Sequence, residues 1–178
     1  KRRVSRLKSI NYVYRKVDGI NDKCKQLVST PGGILVSTNS GLYAISDHKA
    51  RLIVRDIYVN HISQKLYGNR YYIATSEGYL YLTNNSGTWN TVYPDKKFSQ
   101  PLYSITSGGN DFLWAGGNSS AYRISGSASN GTPDYKSYEV KNDFPNKYLV
   151  ENANDTIFLF TEGGIYYYNN SGDLFEKY

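Results

Sequence analysis

Two glutamates, Glu77 and Glu162, occupy matching places in short glycine-containing turns. Carboxylates converging on one pocket, with Asp143 as a third, would be equipped for acid–base cleavage of a glycosidic bond. As solvated turn residues they do no chemistry, and that simpler role is the expected one. The other reactive side chains are few. His48 and His61 are the only histidines, and a metal centre or catalytic base needs Cys, carboxylate or further His partners beside it. Asp47 adjoins His48, but neighbours along a strand point to opposite faces. Cys24 is single, so it makes no intramolecular disulfide and no Cys-based metal site; in the run CKQLVST it reads as a small core residue. The triplets GGN and EGG are too short for a phosphate loop. No catalytic residue, metal or cofactor is expected.

The elements that must hold these residues repeat. A short β run, a small-residue turn and a Tyr-bearing β run recur as ILVSTNSGLYAIS (Ile34 to Ser46), YYIATSEGYLYLT (Tyr71 to Thr83), FLWAGGNSSAYRIS (Phe112 to Ser125) and IFLFTEGGIYYYN (Ile157 to Asn169). Their turn residues Gly41, Gly78, Ser120 and Gly164 align at intervals of 37 to 44 residues. A period near 40 made only of strands is that of a β-propeller blade. Each unit divides into four strands. The second strand of each is uninterruptedly apolar (ILV, YYIA, FLWA, IFLF), as expected where sheets bury both faces. The third and fourth alternate more.

The 178 residues include 19 Tyr, with Ile, Val and Thr runs punctuated by Asn, Ser and Gly. That is strand and hairpin chemistry, and no stretch keeps helical periodicity. The predicted fold is all-β: a propeller of four four-stranded blades of about 40 residues, at about 21–58, 59–96, 97–142 and 143–178. Residues 1–20 form a basic segment plus one leftover strand, Ile10 to Val17. That strand implies part of a larger propeller, or an array whose open ends are covered by the remaining blades or a second copy.

The net charge of +6 is concentrated in Lys1, Arg2, Arg3, Arg6 and Lys8, and the rest holds 16 basic against 15 acidic residues. A nucleic-acid binder spreads its cations over a groove, so no nucleic-acid partner is expected. No run of 18 apolar residues marks a transmembrane helix. Without an initiator Met or signal peptide, the chain starts as a processed or excised piece would.

The phrase ILVSTNSGLYAIS resembles the two-component regulator propeller repeat, which reads roughly L-W-[IV]-G-T-x-x-G-[LI]-Y-x-[FY]. LWAGGNSSAYRIS (Leu113 to Ser125) keeps its Leu-Trp-x-Gly core, and YRKVDGINDKCKQLVS (Tyr14 to Ser29) resembles the linker into a first strand. Set against that pattern, Val36, Ile73 and Leu159 stand for Trp, and Ser37 and Ala74 for Gly. The resemblance, over about Tyr14 to Tyr178, implies a non-enzymatic periplasmic sensor region of a membrane-bound histidine kinase, often detecting carbohydrate. The kinase parts lie outside this sequence, and any membrane attachment belongs to a parent protein.

On such a fold the turns between second and third strands and the connections between blades form one binding rim. Here that rim holds Asn39, Glu77, Asn118 and Glu162 and the connections Asp56 to Asn60, Pro94 to Gln100 (with Lys96 and Lys97) and Lys141 to Asn146. A small-molecule or oligosaccharide ligand is expected there. The alternatives are a carbohydrate-active enzyme and a protein-interaction scaffold. TNNSGTW (Thr83 to Trp89) resembles the Asp-box turn of sialidase-like propellers, with Asn85 in the Asp position, and reads as a rigid turn over Trp89.

Overall fold

The computed structural model describes residues 15–63, 70–94, 98–109, 112–125, 133–141 and 147–178. Among them there are strands and turns and no helix. Sixteen strands form four antiparallel sheets, each in simple chain order. The first holds β1 (Cys24–Thr30), β2 (Gly33–Thr38), β3 (Gly41–Ser46) and β4 (Lys49–Arg55). The second holds β5 (Val59–Ile62), β6 (Tyr71–Thr75), β7 (Gly78–Asn85) and β8 (Thr88–Val92). The third holds β9 (Ser104–Ser107), β10 (Phe112–Gly116), β11 (Ala121–Ser125) and β12 (Asp134–Tyr138). The fourth holds β13 (Leu149–Ala153), β14 (Thr156–Thr161), β15 (Gly164–Asn169) and β16 (Leu174–Lys177).

Short-range chemistry makes the hairpins. Asp47 and His48, with φ of 49° and 64°, join β3 to β4, and Asn154 and Asp155, at 50° and 61°, join β13 to β14. Two left-handed residues in succession give a turn whose twist matches that of the strands. A different device closes four other hairpins. Thr30, Thr38, Thr75 and Thr161 each donate a hydroxyl hydrogen bond to the carbonyl three residues on, at 2.8, 3.0, 3.0 and 3.2 Å. Each same hydroxyl accepts the N–H two residues on. The residue three after each threonine is glycine. At Gly78 φ is 114°, and a Cβ there would lie 2.4 Å from the Phe98 carbonyl oxygen. Backbone polar groups at a tight turn need partners, and Thr-x-x-Gly supplies them locally.

The first strands stand side by side in chain order, β1 against β5, β5 against β9 and β9 against β13. Among the described residues, no contact of comparable extent joins the fourth sheet to the first, so the sheets do not close a ring. Within a sheet, paired residues share a face and successive residues alternate. Each sheet therefore has an onward face, toward the next sheet, and a backward face. Leu35 of β2 packs onward against Ile73 of β6 in one core. Tyr72 and Ala74 pack onward against Leu113 and Ala115 in a second, and Trp114 packs onward against Ile157 and Leu159 in a third.

This facing pattern corrects the alignment by one residue. Trp114 is level with Leu35, Tyr72 and Phe158, all on onward faces, and not with Val36, Ile73 and Leu159, which face backward. Gly117 stands at the position held by Thr38, Thr75 and Thr161 in the other turns, and the missing threonine hides the register. A second correction concerns Cys24, which is exposed. It opens β1 just ahead of a register irregularity, where strand alternation no longer sends it inward. Strand β5 also starts earlier than the run HISQKLYG indicates, at Val59; residues 64–69 lie outside the described set. Of the leftover strand, residues 10–14 also lie outside it, and Asp18 bridges to Lys49 beside β4.

Polar links knit the first strands together. Gln26 of β1 donates its side-chain amide to the Ile62 carbonyl at 3.0 Å and accepts the Ile62 N–H at 2.7 Å. His61 of β5 accepts the Ile105 N–H on Nδ1 at 3.2 Å, and Ser104 of β9 accepts the Val150 N–H at 2.7 Å. In each case an onward residue meets the backbone of the next sheet's backward residue. Burial holds the His61 imidazole below its ordinary pKa of 6.5. The ring must be neutral at Nδ1 to accept.

Two expectations follow. With its folded pKa below the unfolded one, His61 binds protons more readily in the unfolded chain, so its contribution is complete above about pH 6.5 and shrinks as pH falls below that value. Urea unfolding at stepped pH will show this slope, and His61→Gln, which keeps an acceptor but cannot titrate, will flatten it. Thr75→Val will lower stability by about 1–2 kcal/mol through its two lost hydrogen bonds, while Ser76→Ala in the same turn will change it by less than about 0.5 kcal/mol.

Candidate functional site

Connections between sheets run alongside the turns that join second to third strands. Asp56 donates its N–H to the Ser40 carbonyl, Ser76 to Tyr58, Leu102 to Thr75 and Tyr148 to Gly117. The turns bearing Asn39, Glu77 and Asn118 are thereby bound into one rim with the connections between them.

A cleft of about 540 Å³ opens on that rim between the first and second sheets. Arg55, at the end of β4, and Asp56 border it on one side, and Glu77, Tyr79, Tyr93 and Ser99 on the other. Asp56 has a φ of 58°, a left-handed conformation that Asp tolerates better than most residues. It breaks β4 so that Ile57 goes into the core while Asp56 stays at the cleft. Glu77 is the exposed residue of the Thr75-Ser76-Glu77-Gly78 clasp. Tyr79 is buried and Tyr93 half exposed, which gives the cleft an aromatic floor and an aromatic lip. Burial raises the Tyr93 phenol above its ordinary pKa, and the Glu77 carboxylate raises it further.

Such a lining offers guanidinium donors, carboxylate acceptors, phenol hydroxyls and aromatic faces together. It suits a ligand with many hydroxyls and apolar ring faces.

The other predicted rim residues have separate surroundings. Asn39 is exposed in the turn between β2 and β3. Its neighbour Ser40 is clamped by Asp22, whose carboxylate accepts the Ser40 hydroxyl at 2.7 Å and N–H at 2.9 Å. Those two bonds bring the Asp22 pKa down to about 2. Asn118 accepts the Tyr103 hydroxyl at 2.8 Å, and the Lys147 ammonium lies 4.7 Å from that ring's centroid. Glu162 is exposed on the fourth sheet and does not border the cleft. The structure thus brings Glu77 together with Asp56 and Tyr93, and does not bring it to Glu162. Lys96, Lys97 and Asp143 lie outside the described residues. Among the described residues no cluster of three His, Cys, Asp or Glu is placed to hold a metal.

Asp56 opens the predicted rim segment Asp56 to Asn60 and does line the cleft. Two groups went unnoticed in the sequence. Arg55 adjoins that segment but carries no motif. Asp173 ties the third sheet to the fourth: it accepts the Tyr168 and Tyr138 hydroxyls at 2.5 and 2.6 Å, and Lys136 and Arg123 pair with it. These donors hold its carboxyl well below the ordinary range, Lys136 first. Trp114, Tyr138, Tyr168 and Phe175 pack in edge and tilted contacts around this knot. All its donors converge on Asp173, so it is a fastening between sheets. The Asp-box-like turn is also re-read. Strand β7 runs through Asn85, and Asn84, not Asn85, caps the turn by accepting the Gly87 N–H at 2.9 Å.

No family model matches the chain, and no curated protein matches it. Solved structures match its fold. Two crystal structures of the extracellular domain of BT4673 from B. thetaiotaomicron superpose with TM-scores of 0.69 and 0.68 at 17% and 18% identity. One is described as a one-component system and the other as a hybrid two-component system. The superpositions cover 91% and 88% of this chain but 22% and 21% of those chains, so this chain spans about a fifth of their length. At that identity the likeness is one of fold.

The proximity of Glu77 to Tyr93 is directly checkable. Glu77→Gln removes the negative charge that disfavours tyrosinate, so the Tyr93 pKa will fall, yet stay above its ordinary value because burial persists. NMR titration of ring-labelled tyrosine reads this. An unmoved Tyr93 would show that the two side chains do not face each other.

Proposed function

We propose that the chain is part of an extracytoplasmic, periplasmic sensor region of a two-component signalling protein, and that it binds carbohydrate in the cleft between the first and second sheets. The role is binding without catalysis, and the parent protein supplies any membrane attachment and kinase. The observation that carries the reading is the cleft itself: a rim hollow with Arg55, Asp56 and Glu77 around the aromatic pair Tyr79 and Tyr93. Its setting on a fold similar to an extracellular domain of a signalling protein supports the sensor role, although fold by itself licenses no function.

The mechanism follows from the cleft's position on a seam. A ligand that touches Arg55 and Asp56 on one sheet and Glu77 and Tyr93 on the next favours whichever packing of the two sheets suits it best, and so shifts their equilibrium. A glycan array followed by calorimetry tests the reading. Tyr93→Ala and Glu77→Gln are expected to weaken binding of a captured oligosaccharide at least about tenfold, the equivalent of 1.4 kcal/mol, and Glu162→Gln to leave it unchanged. Failure to bind any oligosaccharide, or equal binding by all three variants, would overturn it.

A further inference from the structure

The cleft opens between the first and second sheets, yet part of its lining is placed by the third. Tyr79 borders it, but Tyr79 pairs with Ala74 on the onward face of the second sheet and packs in the core shared with Leu113 and Ala115. Ser99 borders it as well, and Ser99 belongs to the connection that leaves β8 for β9 of the third sheet. The floor and one wall of the cleft thus depend on the seam behind it.

Phe98, half-buried, joins the two. Its ring meets Tyr79 edge-on at 6.4 Å. The same ring stacks on Tyr135 of β12, with centroids 4.5 Å and planes 14° apart, and meets Tyr122 of β11 edge-on at 5.2 Å. A Cβ on Gly78 would collide with the Phe98 carbonyl oxygen, so this residue also rests on the Thr75 clasp that presents Glu77. Tyr122 and Tyr135 do not border the cleft. Aromatic rings hold one another in defined stacked and edge geometries, so the connection is pinned by a ring whose partners lie on two sheets.

We infer that Phe98 is a positioning residue for the cleft, and that through it the third sheet controls the shape the cleft presents to a ligand. The inference rests on the cleft being a binding site. A shift of the third sheet against the second carries Phe98 with it, and Ser99 and Tyr79 follow at the wall and the floor. By reciprocity, a ligand that fixes Tyr79 and Ser99 favours one setting of that second seam. Occupancy is then felt one sheet beyond the pair that borders the cleft.

Nuclear magnetic resonance of the unliganded chain tests the placement. Tyr135→Leu removes the stacking partner and leaves the cleft lining intact, and it is expected to shift the amide signals of Gly78 and Ser99. In a Phe98→Leu background the same change should leave those signals where Phe98→Leu alone puts them. Phe98→Tyr, which keeps the ring, should restore the response. Circular dichroism checks folding, and Tyr122→Leu serves the same tests if Tyr135→Leu unfolds. Calorimetry with the oligosaccharide captured by the wild-type chain then tests control of the cleft. Tyr135→Leu should weaken binding at least about threefold and Phe98→Leu at least about fivefold, with Phe98→Tyr at the wild-type value. Amide signals that ignore Tyr135, or that respond equally with and without the Phe98 ring, overturn the inference whether or not any sugar binds. Unchanged affinity in Tyr135→Leu overturns it too. Signals that respond in a chain that binds no oligosaccharide support the placement and overturn the carbohydrate reading instead.

Discussion

A strand that lies between two packed sheets has no side for water. Every residue of β6 and β10 must satisfy one neighbour or the other, and successive side chains serve opposite cores. Ile73 and Tyr72 are adjacent in the chain yet contribute to different interfaces. Each fully buried side chain of this kind stabilises by about 1.5–3 kcal/mol, so the central strands contribute to two seams at once. The tolerance of the rest follows from this. Outer strands β8, β12 and β16 each bury a single residue, Trp89, Tyr138 and Phe175, because they carry little of that burden. Polar residues enter the seams where they can reach a neighbouring backbone, as Gln26, His61 and Ser104 do.

The strands were legible because both-sided burial writes an apolar run and hairpins write Gly, Asn and Asp. The fourfold phrase carried both signals, and its turn residues align as read. What stayed illegible was the facing of single residues. Setting Trp114 against Val36 instead of Leu35 is a slip of one, and in a sheet a slip of one exchanges the faces. The third turn concealed it by replacing threonine with Gly117 and so removing the landmark. Cys24 looked buried by its neighbours, yet the start of a strand at an irregular register escapes alternation. The cleft was half legible. Glu77 was flagged by its turn and Asp56 by its connection, but Arg55 and Tyr93 meet them through contacts between sheets that no local spacing encodes. The knot at Asp173 is of the same kind, since its donors come from three other strands.

The cleft owes its existence to the same packing. Between the first and second sheets the connection leaves β4 at Asp56, sends Ile57 into the core and climbs to β5. The rim hollow is the space that this turn leaves open above the apolar seam. Ligand recognition and sheet packing thus share a boundary, with Ile57 below it and Arg55, Asp56 and Glu77 above it.

The threonine clasp separates two demands that usually conflict. Because Thr75 and Gly78 hold their hairpin with a hydroxyl and a backbone geometry, the pair between them is released from any duty to the turn. The enclosed pairs are Asn39-Ser40, Ser76-Glu77 and Glu162-Gly163 on the rim, and Pro31-Gly32 at the opposite end, and no two are alike. A lineage built on this repeat can diversify its recognition loops two residues at a time while the clasp keeps foldability constant. The same property makes these pairs the natural positions to randomise in a library of engineered binders.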